Sequence, residues 1–148
     1  HIIFRTSWIY GSRGKNFLLT ILKLAHEREE LRIVNDQTGA PTWSRDLAVA
    51  TTKVLSLPLI RAHAGLYHLT NTGHTTWHGF ARAIIEQDPN RDTQTLKTLT
   101  TIPTTDYPTP APRPKNSRLD CTKAKDVLGI ELPPWQESLR SVINELKG

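Results

Sequence analysis

The chain opens on His1-Ile-Ile-Phe4 and runs straight into Arg5-Thr-Ser-Trp-Ile-Tyr-Gly11. An apolar, β-branched run that ends in small polar residues and a glycine is the pattern of a buried strand delivering side chains to a site at its end. Buried parallel strands need neighbours on both sides. No other strand precedes this one in the sequence, so it is expected to lack an upstream partner, and the chain to be the back part of something larger. Its function is then the function of a part.

Downstream, strand and helix patterns alternate. Phe17, Leu18, Ile21, Leu22, Leu24 and Ala25 recur at helical spacing with Lys23, Glu27 and Arg28 between them, which predicts an amphipathic helix. Leu31 to Val34 predicts a short strand. Asn35 to Thr42 carries Gly39 and Pro41 and predicts a rigid loop, with Thr42 or Ser44 capping a helix whose face is Leu47, Ala50, Val54 and Leu55. Gly65 to Thr70 predicts a strand. Thr75 or Thr76 is expected to cap a helix bearing Trp77, Phe80, Ala81, Ile84 and Ile85. Leu96 to Ile102 predicts an edge strand, and the five prolines from Pro103 to Pro114 predict extended, non-helical chain. A short helix is expected from Leu119 to Leu128, stopped by Gly129. Pro134 then opens a last helix carrying Trp135, Leu139, Val142, Ile143 and Leu146. This alternation predicts an α/β fold.

At 148 residues, with 37% apolar and 22% charged residues, the chain is long enough for one domain with a real core. No apolar run reaches membrane-spanning length. The single Cys121 excludes an internal disulfide and fits a reducing compartment, so a cytoplasmic location is expected. The net charge of +5 is spread through mixed-charge helices, and the aromatics lie on core stripes rather than among the basic residues. Neither a nucleic-acid nor a membrane partner is expected. The exception to the scatter is Arg113-Pro-Lys-Asn-Ser-Arg118.

Chemistry-bearing patterns are sparse. His63, His68, His74 and His78 cluster, with His74 and His78 four apart, but no carboxylate or cysteine completes a ligand set and no metal site is expected. Neither a Gly-x-Ser-x-Gly elbow nor a Cys-His motif occurs. Gly11-Ser-Arg-Gly14 is half of a phosphate-loop pattern, with Phe17 where a third glycine would fall; two glycines shaping a strand-to-helix turn explain it as well. Two loops present better candidates. Gln37, Gly39, Ala40, Pro41 and Thr42 can offer backbone amides and short polar groups to a ligand. Arg113 and Arg118 flank Asn116, and an arginine fork suits phosphate, although surface ion pairing would explain the same spacing. Trp8 is either core or the wall of a ligand pocket.

Taken in order, several motifs resemble one family, the dTDP-4-dehydrorhamnose reductases of the extended short-chain dehydrogenases/reductases. They are Arg5-Thr-Ser-Trp-Ile-Tyr-Gly11, Gly14-Lys-Asn-Phe17, Glu27-Arg-Glu-Glu-Leu31, Asn35-Asp-Gln-Thr-Gly-Ala-Pro-Thr42, Gly65-Leu-Tyr-His-Leu69, Tyr107-Pro-Thr-Pro110 and Arg113-Pro-Lys-Asn-Ser-Arg-Leu119. The resemblance covers nearly the whole chain. It implies that residues 1–11 are a residual strand of the NAD(P)-binding Rossmann domain and that residues 12–148 are the sugar-nucleotide-binding region. The parent activity it implies is reduction of dTDP-4-dehydro-L-rhamnose to dTDP-L-rhamnose with NADPH or NADH.

The resemblance also assigns residues. Thr6 and Ser7 border the nicotinamide, and Trp8 contacts the sugar. Asn16 and Phe17 lie where the family holds the nucleotide, and Gln37, Gly39, Ala40, Pro41 and Thr42 lie near base and ribose. Arg113, Asn116 and Arg118 fall in the segment that closes over the diphosphate. A homodimer is compatible with the family. The catalytic Tyr-x-x-x-Lys is absent: Tyr10, Tyr67 and Tyr107 are followed four residues on by Gly14, Asn71 and Ala111. The cofactor's glycine loop is also absent. No residue of the chain is therefore expected to be catalytic, and the chain alone is expected to be inactive and not to hold the cofactor. Two alternatives stay open: another nucleotide-sugar reductase or epimerase of this family, and a non-catalytic regulatory module that binds a partner protein.

Overall fold

The structure is a computed structural model that describes residues 1–58 and 60–147; Leu59 and Gly148, both inside the expected 12–148 region, lie outside the described residues. It opens with β1 (Ile2–Arg5) and a two-residue β2 (Ile9–Tyr10), then α1 (Phe17–Glu27) and β3 (Glu30–Val34). Two short strands follow, β4 (Thr38–Gly39) and β5 (Thr42–Trp43), and lead into α2 (Ser44–Leu55). Next come β6 (Gly65–His68), β7 (Asn71–Thr72), β8 (Thr75–Thr76) and α3 (Trp77–Gln87). The chain closes with β9 (Thr98–Ile102), α4 (Thr122–Leu128), β10 (Leu132–Pro134) and α5 (Trp135–Glu145). The α/β alternation read from the sequence is the observed architecture.

The opening strand is not without a neighbour. β1 pairs in parallel with β6, Ile2 opposite Gly65 through Arg5 opposite His68. The two strands are 63 positions apart, which hid the pairing from a reading of local pattern. The pair has one covered face and one open face. Phe4 and Tyr67 point inward with ring centroids 6.4 Å apart. Ile3 and Leu66, in register with each other, point outward and are 49% and 37% exposed. A second parallel pair, β3 with β9, runs Glu30 opposite Thr98 to Val34 opposite Ile102. β9 therefore starts two residues later than the expected Leu96.

Two apolar clusters hold these layers. In one, Leu18 and Ile21 of α1, Phe80 and Ile84 of α3, and Leu139 and Val142 of α5 pack around Tyr10 and Trp135. In the other, Val54 of α2, Tyr67 and Leu69, and Leu128 and Leu132 pack under the β1–β6 pair. The helical stripes read from the sequence are these faces, except at their ends. Leu55 is 70% exposed and Leu146 lies past the last turn of α5, also exposed.

Between the two clusters lies a polar knot without a sequence signal. Asn71 is buried, its Oδ1 accepting from the Trp43 N–H at 2.8 Å. Its Nδ2 donates to Asp46 Oδ2 at 2.7 Å and to Pro133 O and Ser138 Oγ, each at 2.9 Å. Ser138 Oγ donates to the same Asp46 oxygen. One amide thus ties β5, α2, β7 and α5, and a fully partnered buried network of this kind fixes their relative placement.

Helix ends follow local chemistry, with two departures. Asn16 caps α1 by accepting from the Leu19 N–H at 3.2 Å, Thr76 caps α3 by accepting from Gly79 N–H at 3.0 Å, and Gly129 ends α4 with φ +64°. Neither Thr42 nor Ser44 caps α2: its cap residue is Trp43, without a side-chain bond. The Thr42 hydroxyl is buried and donates instead to Ala40 O at 3.1 Å. α4 begins at Thr122 rather than Leu119, because the Asp120 carboxylate accepts from the Thr122 N–H at 2.9 Å and holds the preceding residues in a turn.

Candidate functional site

The site is built where β1 gives out. Arg5 O still accepts from Leu69 N–H at 2.9 Å, so the ladder holds to that point. Three residues on, Trp8 takes φ +49°, the only residue other than glycine with positive φ among those described. The left-handed region costs a bulky side chain about 1–3 kcal/mol, and such strain persists only where the surroundings impose it. Trp8 O accepts from Thr42 N–H at 3.1 Å, which starts the short β2–β5 pairing, Ile9 opposite Thr42 and Tyr10 opposite Trp43.

The bend throws the Trp8 ring onto Gly39. A Cβ at Gly39 would lie 2.4 Å from Trp8 Cε2 and 2.7 Å from Cζ2, so this glycine is required by close approach alone. The ring also stacks on Trp77, centroids 3.7 Å apart with 10° between planes, and Phe17 lies 4.6 Å from Trp77. Trp77, expected on a core stripe, does pack against the α1–α3–α5 cluster. It is the first residue of α3, only partly buried, and faces the site.

The expected rigid loop is a miniature sheet. Thr38 and Gly39 of β4 run antiparallel to Thr76 and Thr75 of β8. On its other side β4 meets the arginine segment: Thr38 N–H donates to Lys115 O, and Thr38 O accepts from Ser117 N–H, both at 2.8 Å. Thr38 and Asn116 form a parallel bridge. Two stretches nearly eighty residues apart are thereby locked edge to edge beside Trp8.

Side chains continue the lock. Trp77 Nε1–H donates to Gln37 Oε1 at 3.2 Å, Gln37 Nε2 donates to Thr104 Oγ1 at 3.1 Å, and the Thr104 hydroxyl donates to Asp36 Oδ1 at 2.5 Å. The Thr104 hydroxyl, against a smaller opposing effect of burial and with help from the Thr104 N–H and Lys115, holds the Asp36 carboxyl below the usual carboxylate range. Gln37 is buried, so both ends of its amide are spoken for.

Of the other expected residues, Ser7 Oγ donates to Ala40 O at 3.4 Å, while Thr6 Oγ1 is buried without a partner. Ala40, Pro41 and Thr42 are buried, with Ala40 O accepting from the Ser7 and Thr42 hydroxyls and Thr42 N–H donating to Trp8 O. Phe17 opens α1, and its ring stacks on Phe80 with centroids 5.6 Å apart. The Asn16 side chain is used locally: besides its cap it donates to Gly11 O at 2.9 Å and Arg13 O at 3.2 Å. Arg113, Asn116 and Arg118 are exposed. Asn116 Oδ1 accepts from both the backbone N–H and Nε–H of Arg118 at 3.1 Å, leaving the outer edge of that guanidinium open. Neither arginine forms an ion pair among the described residues. Arg118 lines a cleft of about 250 Å³ with Ala40, Thr70, Gly73, His74 and Cys121.

Tyr10, the tyrosine nearest Trp8 in sequence, lies in the core rather than in the site. Burial first, and the Asp46 carboxylate second, push its hydroxyl well above the usual phenol range, and the oxygen has no partner. Among the described residues no three of His, Cys, Asp or Glu come together as a metal site. No helix among them is long and apolar enough to cross a membrane.

A mixed α/β fold with a loop-built site beyond the end of a parallel strand is the arrangement of the extended short-chain dehydrogenases/reductases. The family model described as the RmlD substrate binding domain matches residues 1–147, and the chain belongs to that family. It is 45% identical over 148 residues to dTDP-4-dehydrorhamnose reductase of Escherichia coli K12, covering 99% of this chain and 50% of that protein. In structure it is similar to a dTDP-4-dehydrorhamnose reductase of Clostridium acetobutylicum, with TM-score 0.87 and 34% identity over 99% of this chain and 49% of that one. It is also similar to the Bacillus anthracis dTDP-4-dehydrorhamnose reductase solved in complex with NADP, with TM-score 0.81 and 33% identity over 97% of this chain and 48% of that one. The chain spans about half the length of the curated relatives it matches.

Proposed function

We propose that this chain is the sugar-nucleotide-binding half of a dTDP-4-dehydrorhamnose reductase, and that its site holds dTDP-4-dehydro-L-rhamnose for reduction by NADPH or NADH. One observation carries the reading. The backbone bonds of Thr38 to Lys115 and Ser117 bring the Gln37–Thr42 stretch and the Asn116–Arg118 stretch together beside Trp8. In this reading Trp8 contacts the sugar, Phe17 and the Gln37–Thr42 stretch meet the nucleoside, and Arg113 or Arg118 binds the diphosphate. Exposed guanidinium edges without carboxylate partners among the described residues are suited to that task. Asn16 acts through the loop it ties down.

Residues 1–11 are assigned to the nucleotide-binding sheet and 12–148 to the substrate region. β6, inside 12–148, continues that sheet beside β1, and the face carrying Ile3 and Leu66 is bare where parallel strands are ordinarily covered on both sides. A bound nicotinamide cofactor supplies the hydride. The buried, unpartnered Thr6 Oγ1 and the neighbouring Ser7 hydroxyl fit a role bordering it. Proton donation to the carbonyl oxygen is assigned to a group outside this chain, since the Tyr10 hydroxyl is buried in the core away from the site. In the complete protein a pair of such chains is compatible with the reading.

The purified chain is expected to give no NADPH oxidation with dTDP-4-dehydro-L-rhamnose above a protein-free control. A rate above that control would overturn the division of labour proposed here.

A further inference from the structure

We infer that Trp77 is a positioning residue for this site, one that aims Trp8 with its ring and Gln37 with its indole N–H. The inference rests on the reading of Trp8 as the sugar contact and of Gln37 as part of the nucleoside-binding stretch. Trp8 stands at φ +49°, a conformation its own backbone disfavours, so its direction is imposed from outside. Two features impose it: the bare Gly39 backbone and the face of Trp77 at 3.7 Å. Trp77 is itself fixed. It begins α3 directly after the cap residue Thr76, whose hydroxyl accepts from Gly79 N–H and donates to Asn35 Oδ1 at 2.6 Å. Phe17 supports its ring at 4.6 Å.

The second arm is polar. The Trp77 N–H is the donor to Gln37 Oε1, and without it a buried amide oxygen would lose its partner and the amide could turn over. One indole therefore holds the two halves of the site in mutual register: the ring controls the sugar end, and the nitrogen controls the nucleoside end. The two arms can be separated, because phenylalanine keeps a stacking face but lacks the N–H, whereas leucine lacks both.

The test is a mutant cycle read by calorimetry on the whole chain with two ligands, dTDP and dTDP-L-rhamnose. The ratio of their dissociation constants reports what the sugar adds. Trp77→Phe is expected to keep that ratio within about twofold, while Trp77→Leu lowers it at least about fivefold, to the level of Trp8→Ala. The Trp77→Leu, Trp8→Ala double variant is expected to lose nothing further in the ratio. An unchanged ratio in Trp77→Leu, or losses that multiply in the double variant, would overturn the inference.

A ligand-free measurement keeps it testable even if dTDP does not bind, an outcome that would instead count against the proposed function. In amide and indole NMR spectra of the free chain, the Trp8 Nε1–H resonance is expected to move in Trp77→Leu. A Trp8 resonance unmoved by that substitution would show that Trp77 does not position it.

Discussion

Gly39 and Trp8 fit only each other. The glycine has no unusual φ, so the constraint is wholly one of space, and alanine would drive a methyl carbon to 2.4 Å from an indole ring already backed by Trp77. Gly39→Ala is expected to destabilise the chain by about 1–3 kcal/mol through overpacking and to move the Trp8 indole resonance. A thermal melt together with the indole spectrum checks both. Asn71 makes the opposite kind of case, since everything around it is satisfied. Asn71→Ala would strand the Trp43 N–H and the Pro133 carbonyl and leave only the Ser138–Asp46 bond of the knot, and is expected to cost about 2–4 kcal/mol in urea unfolding. Neither residue could be picked out beforehand in these roles. Gly39 read as turn punctuation, and Asn71 sits beyond a strand with partners 25 to 67 positions away.

Elements show where local pattern suffices and where it fails. The stripes of α1, α3 and α5 were legible because eleven residues sample three turns of a 3.6-residue period. β4, β5, β7 and β8 are two residues each, too short to carry any period, so their pairing was invisible and the site's frame with it. The junction of α3 and β9 holds a further device that spacing could not reveal. His26 of α1 and Gln94 both reach Asp88, at 2.8 and 2.7 Å, and Asn90 N–H donates to its other oxygen at 2.9 Å. Burial alone would raise the Asp88 carboxyl, but the bonds from Gln94, Asn90 and His26 outweigh it and leave the group below the usual range. A carboxyl with a lowered folded value stabilises the native state above its unfolded value, near pH 4, and that stability is lost as pH falls through the folded value. Chemical denaturation between pH 6 and pH 3 should therefore show a loss of stability on the acid side that is smaller in Asp88→Asn. Equal acid slopes in the two proteins would remove Asp88 from the account.

At the scale of the whole molecule, the sequence motifs identified the family and the structure supplied the reason they belong together. Arg5 to Gly11, Asn35 to Thr42 and Arg113 to Leu119 are far apart in the chain, and the β1 end, the β4 strand and the Lys115–Ser117 bridge bring them to one place. What the motifs could not supply was the second face of Trp77, which packs on the core as its helical stripe predicts and also reaches Trp8 and Gln37. The central claim is that this place binds a thymidine-diphosphate sugar. Calorimetric titration of dTDP-L-rhamnose into the purified chain tests it most directly, with thymidine as the reference. A dissociation constant of about 1–100 μM is expected, at least about tenfold tighter than thymidine, and weakened about tenfold or more by Arg113→Ala or Arg118→Ala. Binding no tighter than that of thymidine, or binding indifferent to both arginines, would contradict it.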